Sequence, residues 1–548
     1  MLRQTCYILF FILLSSVCYA KTTEDCHRLT NKLSRTLNNY QPNTPKLYEA
    51  LRSLHQEAVE KRIPLIYPQD DVNHSGKVIK LTISDNMLDH TRHLPFIPLP
   101  EYTDFNGWTY EVNLMSNVST YLFHFSESTT KQVQYISKKA IDNGCFQGIR
   151  ELNNGLKLLI IQDNTPWTYR NETPDTYFPD GRPGTPWQKW NRHDPKYRSD
   201  ILLLENGVAQ NSVIASYQTK TSTPSCSYAN VSSRKKEIKH LCLHRTGTRG
   251  GILKLLHISN TNNMELSDIT VLTEPALLTG DACISIVNSS NIKVENYTIE
   301  NTYSSTTAYG YGLDMNNVWN VHFIKMRASG PIWGVFGNNN VNTAKLDNCT
   351  INRFDLHMYG KNITCSHCTF RNDNYKKEVI HAKSLDHFQE KNTHIYNRYV
   401  SLYGTLTYDH CHFDGFIPFR TDYGYNIFTG CNVEFKDCTM DIYQKKYAYL
   451  FLMGYWGAPA NERLENAMRS WHNILIDRMD IRLHADISNV YLYYFMDREL
   501  QRVPIQTQLI SNKLLLNLNH LRMMDSEGRP SDSVLFKETN INIHEYTH

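Results

Sequence analysis

The sequence predicts an all-β fold: a parallel β-helix solenoid with a helical N-terminal cap and long loop insertions. Three observations carry this. A six-residue motif recurs along the second half of the chain, no amphipathic helix intervenes between its copies, and asparagines cluster in the turns ahead of it.

The motif reads apolar, any, Asp/Asn or another polar residue, Cys or apolar, any, apolar. Its copies are LSDITV (266–271), VENYTI (294–299), FIKMRA (323–328), LDNCTI (346–351), CSHCTF (365–370), YDHCHF (408–413), FKDCTM (435–440) and IDRMDI (476–481). Successive copies start 19 to 43 residues apart. If the two widest intervals each hide one unrecognised copy, a turn takes about 23 residues, a spacing suited to stacked parallel strands. The fourth positions are Ile269, Tyr297, Met326, Cys349, Cys368, Cys411, Cys438 and Met479, which predicts one interior column. Small buried thiols fill such a column, so the cysteines read as core rather than as metal or redox groups. The CxxC at Cys365 and Cys368 falls on the template, and no second pair completes a tetrahedral set. Asparagine tolerates left-handed backbone, which explains Asn317, Asn320, Asn340 and Asn362 as turn residues.

The chain has 548 residues and a formal net charge of +3, so no polybasic footprint points to nucleic acid. Residues 1–20 have the layout of a secretory signal peptide: Arg3, a short apolar stretch, and Ala20 before Lys21. The expected location is therefore secreted or periplasmic. Val17 before Cys18 disfavours a surface lipoprotein, and the mature chain is expected to lack a membrane span. Residues 21–70 are expected to form a helical cap, with Leu29, Leu33, Leu37 and then Leu47, Leu51, Leu54, Ala58 at helical spacing. The solenoid is expected over 71–490, with insertions at about 164–200 and 371–403, and residues 491–548 as a C-terminal cap and tail. The strand-like runs between Gly76 and Gln162, LKLLIIQ (156–162) among them, are expected to be early turns. The 164–200 segment is rich in proline and aromatics, Trp187 and Trp190 among them, and reads as an ordered loop, either lying against the solenoid or packing only its own aromatics.

A β-helix has no pocket of its own, so chemistry is sought on an outer face where neighbouring turns lie about 4.8 Å apart. After LDNCTI come Arg353, Asp355, His357, Tyr359 and Lys361; after YDHCHF come Asp414, Arg420, Asp422 and Tyr423; after VENYTI come Tyr311 and Asp314. Counting nine residues back from the next motif aligns Asp314, Gly337 and Leu356, which places Asp314 and His357 at about one height. Such a set suits an acidic glycan. In β-elimination Arg420 offsets enolate charge, His357, a tyrosine or a lysine takes the C5 proton, and a tyrosine protonates the leaving oxygen, with Tyr423 counted among the catalytic residues. A hydrolase would use two carboxylates roughly 5–9.5 Å apart, drawn from Asp355, Asp422 and Asp314. Asp314, Arg353, Tyr359, Lys361, Tyr311, Trp187 and Trp190 are assigned to substrate binding. The plainer assignment for Asp355–His357 and Arg420–Asp422 is turn capping and ion pairing.

The coil pattern, the signal peptide and the runs NRFDLHMYG and FRTDYG resemble the right-handed parallel β-helix, pectate-lyase-like proteins secreted by polysaccharide-degrading gut bacteria. The resemblance implies a polysaccharide lyase or glycoside hydrolase. The paired-Asp and Gly-His-Gly signatures of polygalacturonases are absent, as is a clear acidic calcium cluster, so no metal is assigned and calcium stays open. The expected function is cleavage of a uronic acid-containing polysaccharide by β-elimination. The alternatives are hydrolysis on the same face, or a non-catalytic glycan-binding or adhesin solenoid. The partner is a poly- or oligosaccharide, and the protein is expected to be a monomer.

Overall fold

The computed structural model describes residues 23–39, 45–70, 76–116, 118, 121–133, 136–169, 195–214, 224–247, 254–274, 282–301, 311–328, 334–356, 360–371, 396–399, 402–421, 431–443, 447–453, 471–484, 489–495, 515–524, 527 and 529. The proposed signal peptide, Trp187, Trp190, His357, Tyr359, Asp422 and Tyr423 lie outside them.

The recurrent motif is a corner rather than a single strand. Its third residue has φ between 51° and 61° in all eight copies: Asp268, Asn296, Lys325, Asn348, His367, His410, Asp437 and Arg478. This left-handed residue turns the chain from one face of the coil to the next, which is why short polar side chains recur there. The fourth residue follows the bend and points inward. All eight fourth positions are buried. The four thiols among them reach back one turn: the Sγ atoms of Cys349, Cys368, Cys411 and Cys438 donate to the carbonyls of Phe323, Leu346, Cys365 and Tyr408. Burial also raises the pKa of Cys438 to about 12, so this thiol is inert filler.

The turns stack in parallel with three faces. On the first face, Ile238, Leu266, Val294, Phe323, Leu346, Cys365, Tyr408, Phe435 and Ile476 align in successive turns and are all buried. The second face aligns Ile351, Phe370, Phe413, Met440 and Ile481. The third aligns Phe123, Leu256, Ile284, Leu313, Phe336 and Phe354. Each fully buried side chain of this kind contributes roughly 1.5–3 kcal/mol, so the columns supply the main driving force for stacking. At the corner after the third face, Asn340 Nδ2 donates to Asn317 Oδ1 at 2.7 Å and Asn317 Nδ2 to Asn288 Oδ1 at 3.0 Å, a ladder of turn asparagines.

Cys365 pairs directly with Tyr408, and Phe435 with Ile476, so the two widest intervals hide no turn. The extra residues are insertions after the second or third face, and every interval between motifs is one turn. The stack also passes residue 490: Asn489–Phe495 and Leu515–Met524 pair in parallel with Tyr447–Met453 and Trp471–Leu483. Leu515–Met524 thus continues the coil beyond the expected boundary at residue 490.

At the other end, helices 23–39 and Pro45–Lys61 bury Leu29, Leu33, Leu37, Leu47, Leu51, Leu54 and Ala58 in the main core. His55 is buried with them, its Nε2 at 2.8 Å from the Tyr67 hydroxyl, and desolvation lowers its pKa to about 3. Among the described residues no helix is long and apolar enough to cross a membrane.

Between Tyr121–Ser126 and Lys236–Thr246 the chain leaves the coil and builds a separate antiparallel sheet. Its strands are Lys131–Val133, Leu156–Tyr169, Pro195–Glu205, Val208–Ala209 and Ser225–Asn230. LKLLIIQ belongs here and not to an early turn; an apolar run alone does not tell a coil strand from the centre of an inserted sheet. Leu159, Ile161, Leu202 and Leu204 form the core of this sheet, and Leu158, Ile201 and Leu203 pack on its other side with Trp319 of the coil. The ends of the expected 164–200 loop are hairpin strands, paired as Pro166 with Tyr197 and Tyr169 with Pro195. A buried ion pair closes the neck: Lys236 Nζ lies 2.7 Å from Glu127 Oε1, which also accepts from Asn262 N and Thr261 Oγ1.

Candidate functional site

The third face carries a polar row on its outer side. Alternation sends Leu256, Ile258, Leu313 and Met315 inward, and the residues between them outward. In register along the axis the outward position is His124, His257, Ser285, Asp314, Gly337 and Asp355, and the same backbone register continues to Arg398 and Arg420. Asp314, Asp355 and Arg420, three of the residues proposed from the sequence, therefore share one row. Asp355, not Leu356, is in register with Asp314, one residue away from the expected alignment. Arg398 joins the row beside Arg420; for both, the strand position is what the structure provides.

The N-terminal end of the row is a cluster that sequence reading missed. The rings of His124 and His257 are 5.0 Å apart, Tyr121 stacks on His257 at 3.9 Å, and Phe96 meets His124 edge-on at 4.7 Å. His124 Nε2 lies 2.9 Å from Ser259 Oγ. Desolvation lowers the pKa of His124 to about 4; desolvation, then the charges of His124 and Lys254, lowers that of His257 to about 3. Both imidazoles are neutral near pH 7. Lys254 stands three residues before His257 and donates to Asp314 Oδ2 at 3.0 Å and Ser285 Oγ at 3.1 Å, bridging two turns. The recurring pair HFS (124–126) and HIS (257–259) was the available signal, but it lies on the third face, away from the motif that set the frame.

The middle of the row is built differently. Asp355 is fully buried, and its Oδ2 accepts from Arg353 Nη2 at 2.8 Å and from the Tyr311 hydroxyl at 3.3 Å. Gly334 and Gly337 occupy the intervening turn in register with Tyr311 and Asp314, so neither of these two positions adds a side chain between the levels. The proposed catalytic Asp355 and binding residues Arg353 and Tyr311 thus form one hydrogen-bonded unit, with Arg353 and Asp355 buried and Tyr311 half-buried. Arg353 and Asp355 are both buried from solvent at this contact. Lys361 lies off the row, on Gly360–Ser366, and donates to Ser212 Oγ of the inserted sheet at 3.2 Å.

No family model matches the chain, and no curated protein does. Among solved structures the chain is similar to the tailspike protein gp49 from Pseudomonas phage LKA1, with a TM-score of 0.45 and 11% identity over 87% of this chain and 77% of that one. It is also similar to the Pseudomonas phage phi297 tailspike gp61, with a TM-score of 0.36 and 9% identity over 82% and 73%. A third is the Gp54 tailspike of Acinetobacter baumannii bacteriophage AP22, solved in complex with A. baumannii capsular saccharide, with a TM-score of 0.28 and 9% identity over 91% and 80%. The parallel β-helix implied by the sequence resemblance is the fold observed, and none of these three structures is a pectate-lyase-like protein of gut bacteria.

Proposed function

We propose that the protein is an exported carbohydrate-active enzyme that cleaves a uronic acid-containing polysaccharide by β-elimination along the third face. The observation that carries this reading is the neutral His124–His257 pair on the same outer row as Asp314, which Lys254 pairs with from the strand of His257. Elimination needs an unprotonated base beside the C5 hydrogen and a cation beside the carboxylate that becomes an enolate. His124 keeps partial exposure and supplies the base. A polyanionic substrate raises its pKa from about 4 toward the range where an imidazole is an effective acceptor. His257, buried and stacked on Tyr121, positions it. Lys254 meets the carboxylate, and Phe96, which is exposed beside His124, offers a ring for a sugar to stack on. A chain lying along the axis would then run past Asp314 toward the Arg398 and Arg420 positions.

The test is incubation with a panel of uronic acid polysaccharides, following the ultraviolet absorbance of unsaturated uronate ends together with reducing ends. Both signals are expected to rise. Reducing ends without the absorbance would overturn elimination in favour of hydrolysis, and retained binding with neither signal would make the protein a glycan-binding solenoid.

A further inference from the structure

On the second face, two turns from the C-terminal end of the coil, a separate cluster joins histidines to carboxylates. His412 and Asp414 come from His412–Asp414, Asp441 from Cys431–Ile442, and His484 follows Trp471–Leu483. Asp414 and Asp441 occupy the same register position in adjacent turns. One donor atom each from His412, Asp414 and Asp441 falls within 4.8 Å of the other two. We propose that these three residues bind a divalent first-row transition ion of the zinc class, which staples the two turns together.

Three features argue for a cation there. The His412 Nε2 to Asp441 Oδ2 distance is 3.3 Å, long for a hydrogen bond but close to the roughly 3.3–3.4 Å edge of a tetrahedron with bonds of about 2.0–2.1 Å. Each proposed ligand also has an outer partner. His412 Nδ1 is 2.8 Å from Thr439 Oγ1, the Tyr443 hydroxyl donates to Asp414 Oδ1 at 3.0 Å, and His484 Nε2 sits 2.7 Å from Asp441 Oδ1. In the tautomer that gives Nδ1–H to Thr439 Oγ1, the Nε2 lone pair of His412 faces a carboxylate, an arrangement that a metal ion satisfies. Finally, Tyr443 stacks on His484 at 4.5 Å, so the outer partners of both carboxylates are themselves held in place.

The donor set selects the ion. An imidazole nitrogen argues against calcium, which takes oxygen ligands, while one nitrogen and two carboxylates suit zinc or cobalt with room for water. The half-exposed His412 leaves the site open to solvent. The competing assignment is an ion-pair ladder, because the same register row continues into Arg371 on one side and Arg482 on the other. A ladder completed by protonated His412 takes up no metal.

The two assignments separate in one experiment. The metal-free full-length protein is titrated with CoCl2 and ZnCl2, reading bound metal per chain, the visible spectrum of the cobalt form and the thermal midpoint. One equivalent is expected, with a tetrahedral or five-coordinate cobalt spectrum and a raised midpoint. His412→Ala and Asp414→Asn, each checked for native circular dichroism, are expected to lose that equivalent; His484→Gln is expected to weaken it about 10–100-fold. Less than one equivalent, or an equivalent that survives both ligand variants, would overturn the site and leave adventitious binding to other histidines.

Discussion

The third face near the start of the coil and the second face near its end use the same residue types on the same scaffold, yet their histidines are held by opposite means. At His124 and His257 the neighbours are aromatic rings and a lysine, so desolvation keeps both imidazoles neutral. At His412 and His484 the neighbour is the Asp441 carboxylate, 3.3 Å and 2.7 Å away. A β-helix imposes a fixed ladder of outward positions, and chemistry is decided by what adjacent turns place at each one. Apolar neighbours keep an imidazole unprotonated, whereas carboxylate neighbours attract a cation.

The sharpest way to break this contrast is at His124. His124→Ala is expected to lower turnover of a uronate polymer about 10²–10⁴-fold with the fold retained, whereas removing Asp414 should leave turnover in place. Equal losses in both variants, measured by initial rates, would mean the two faces do not divide the work in this way.

Asp355 tests whether the middle of the row is support. Asp355→Ala leaves Arg353 buried without its carboxylate, so a loss of about 3–5 kcal/mol in chemical denaturation is expected. A variant of wild-type stability but without activity would return Asp355 to the catalytic role suggested by its place after LDNCTI.

Acid sensitivity follows from the lowered pKa values. Above pH 6.5 the folded and unfolded forms of His55, His124 and His257 are all neutral, and they contribute no slope. Below it the unfolded chain takes protons that the folded chain refuses. Stability therefore falls as pH drops from about 6.5 toward 4 for His124 and toward 3 for His55 and His257. Each group contributes up to about 1.4 kcal/mol per pH unit in its window. A His124→Gln, His257→Gln double variant should have a shallower midpoint-against-pH curve; an unchanged curve would show that these rings are not held neutral by burial.

The smallest effect is expected in the asparagine ladder. Asn317→Ala puts a β-carbon without a compensating hydrogen bond at φ 54° and should cost about 1–2 kcal/mol. A neutral substitution would mean that the corner, and not the ladder, sets the register shared by the two faces.

The fold was readable from sequence because one position repeats for a steric reason. Asp268, Asn296, Asn348 and Asp437 stand where the backbone turns left-handed, and the inward residue after each is small or apolar. The insertion was not readable, since Leu156–Gln162 has the same apolar run in an antiparallel sheet as it would have in the coil. Asp314, Asp355 and Arg420 were found together because their turns follow recognisable motifs. His124, His257 and Lys254 were missed because their turns precede the first motif copy. Asp414 and Asp441 each lie three residues after a column cysteine, Cys411 and Cys438, so aligning the motifs would have paired them.

The insertion also bears on how the chain finds its fold. Thr109–Leu114 must pair with Lys236–Thr246, two segments that every other part of the coil would have made sequential neighbours. Closing that gap by diffusion of an open chain would cost of order 1 kcal/mol more entropy than closing an ordinary turn, and would be slower. The inserted sheet removes the difficulty, because its first and last strands, Lys131–Val133 and Ser225–Asn230, pair with each other. Once it has folded, Ser128 donates to the carbonyl of Asn230 and the two ends of the coil already lie side by side. The coil can then add turns in order from its capped end, with the insertion acting as a prefabricated splice.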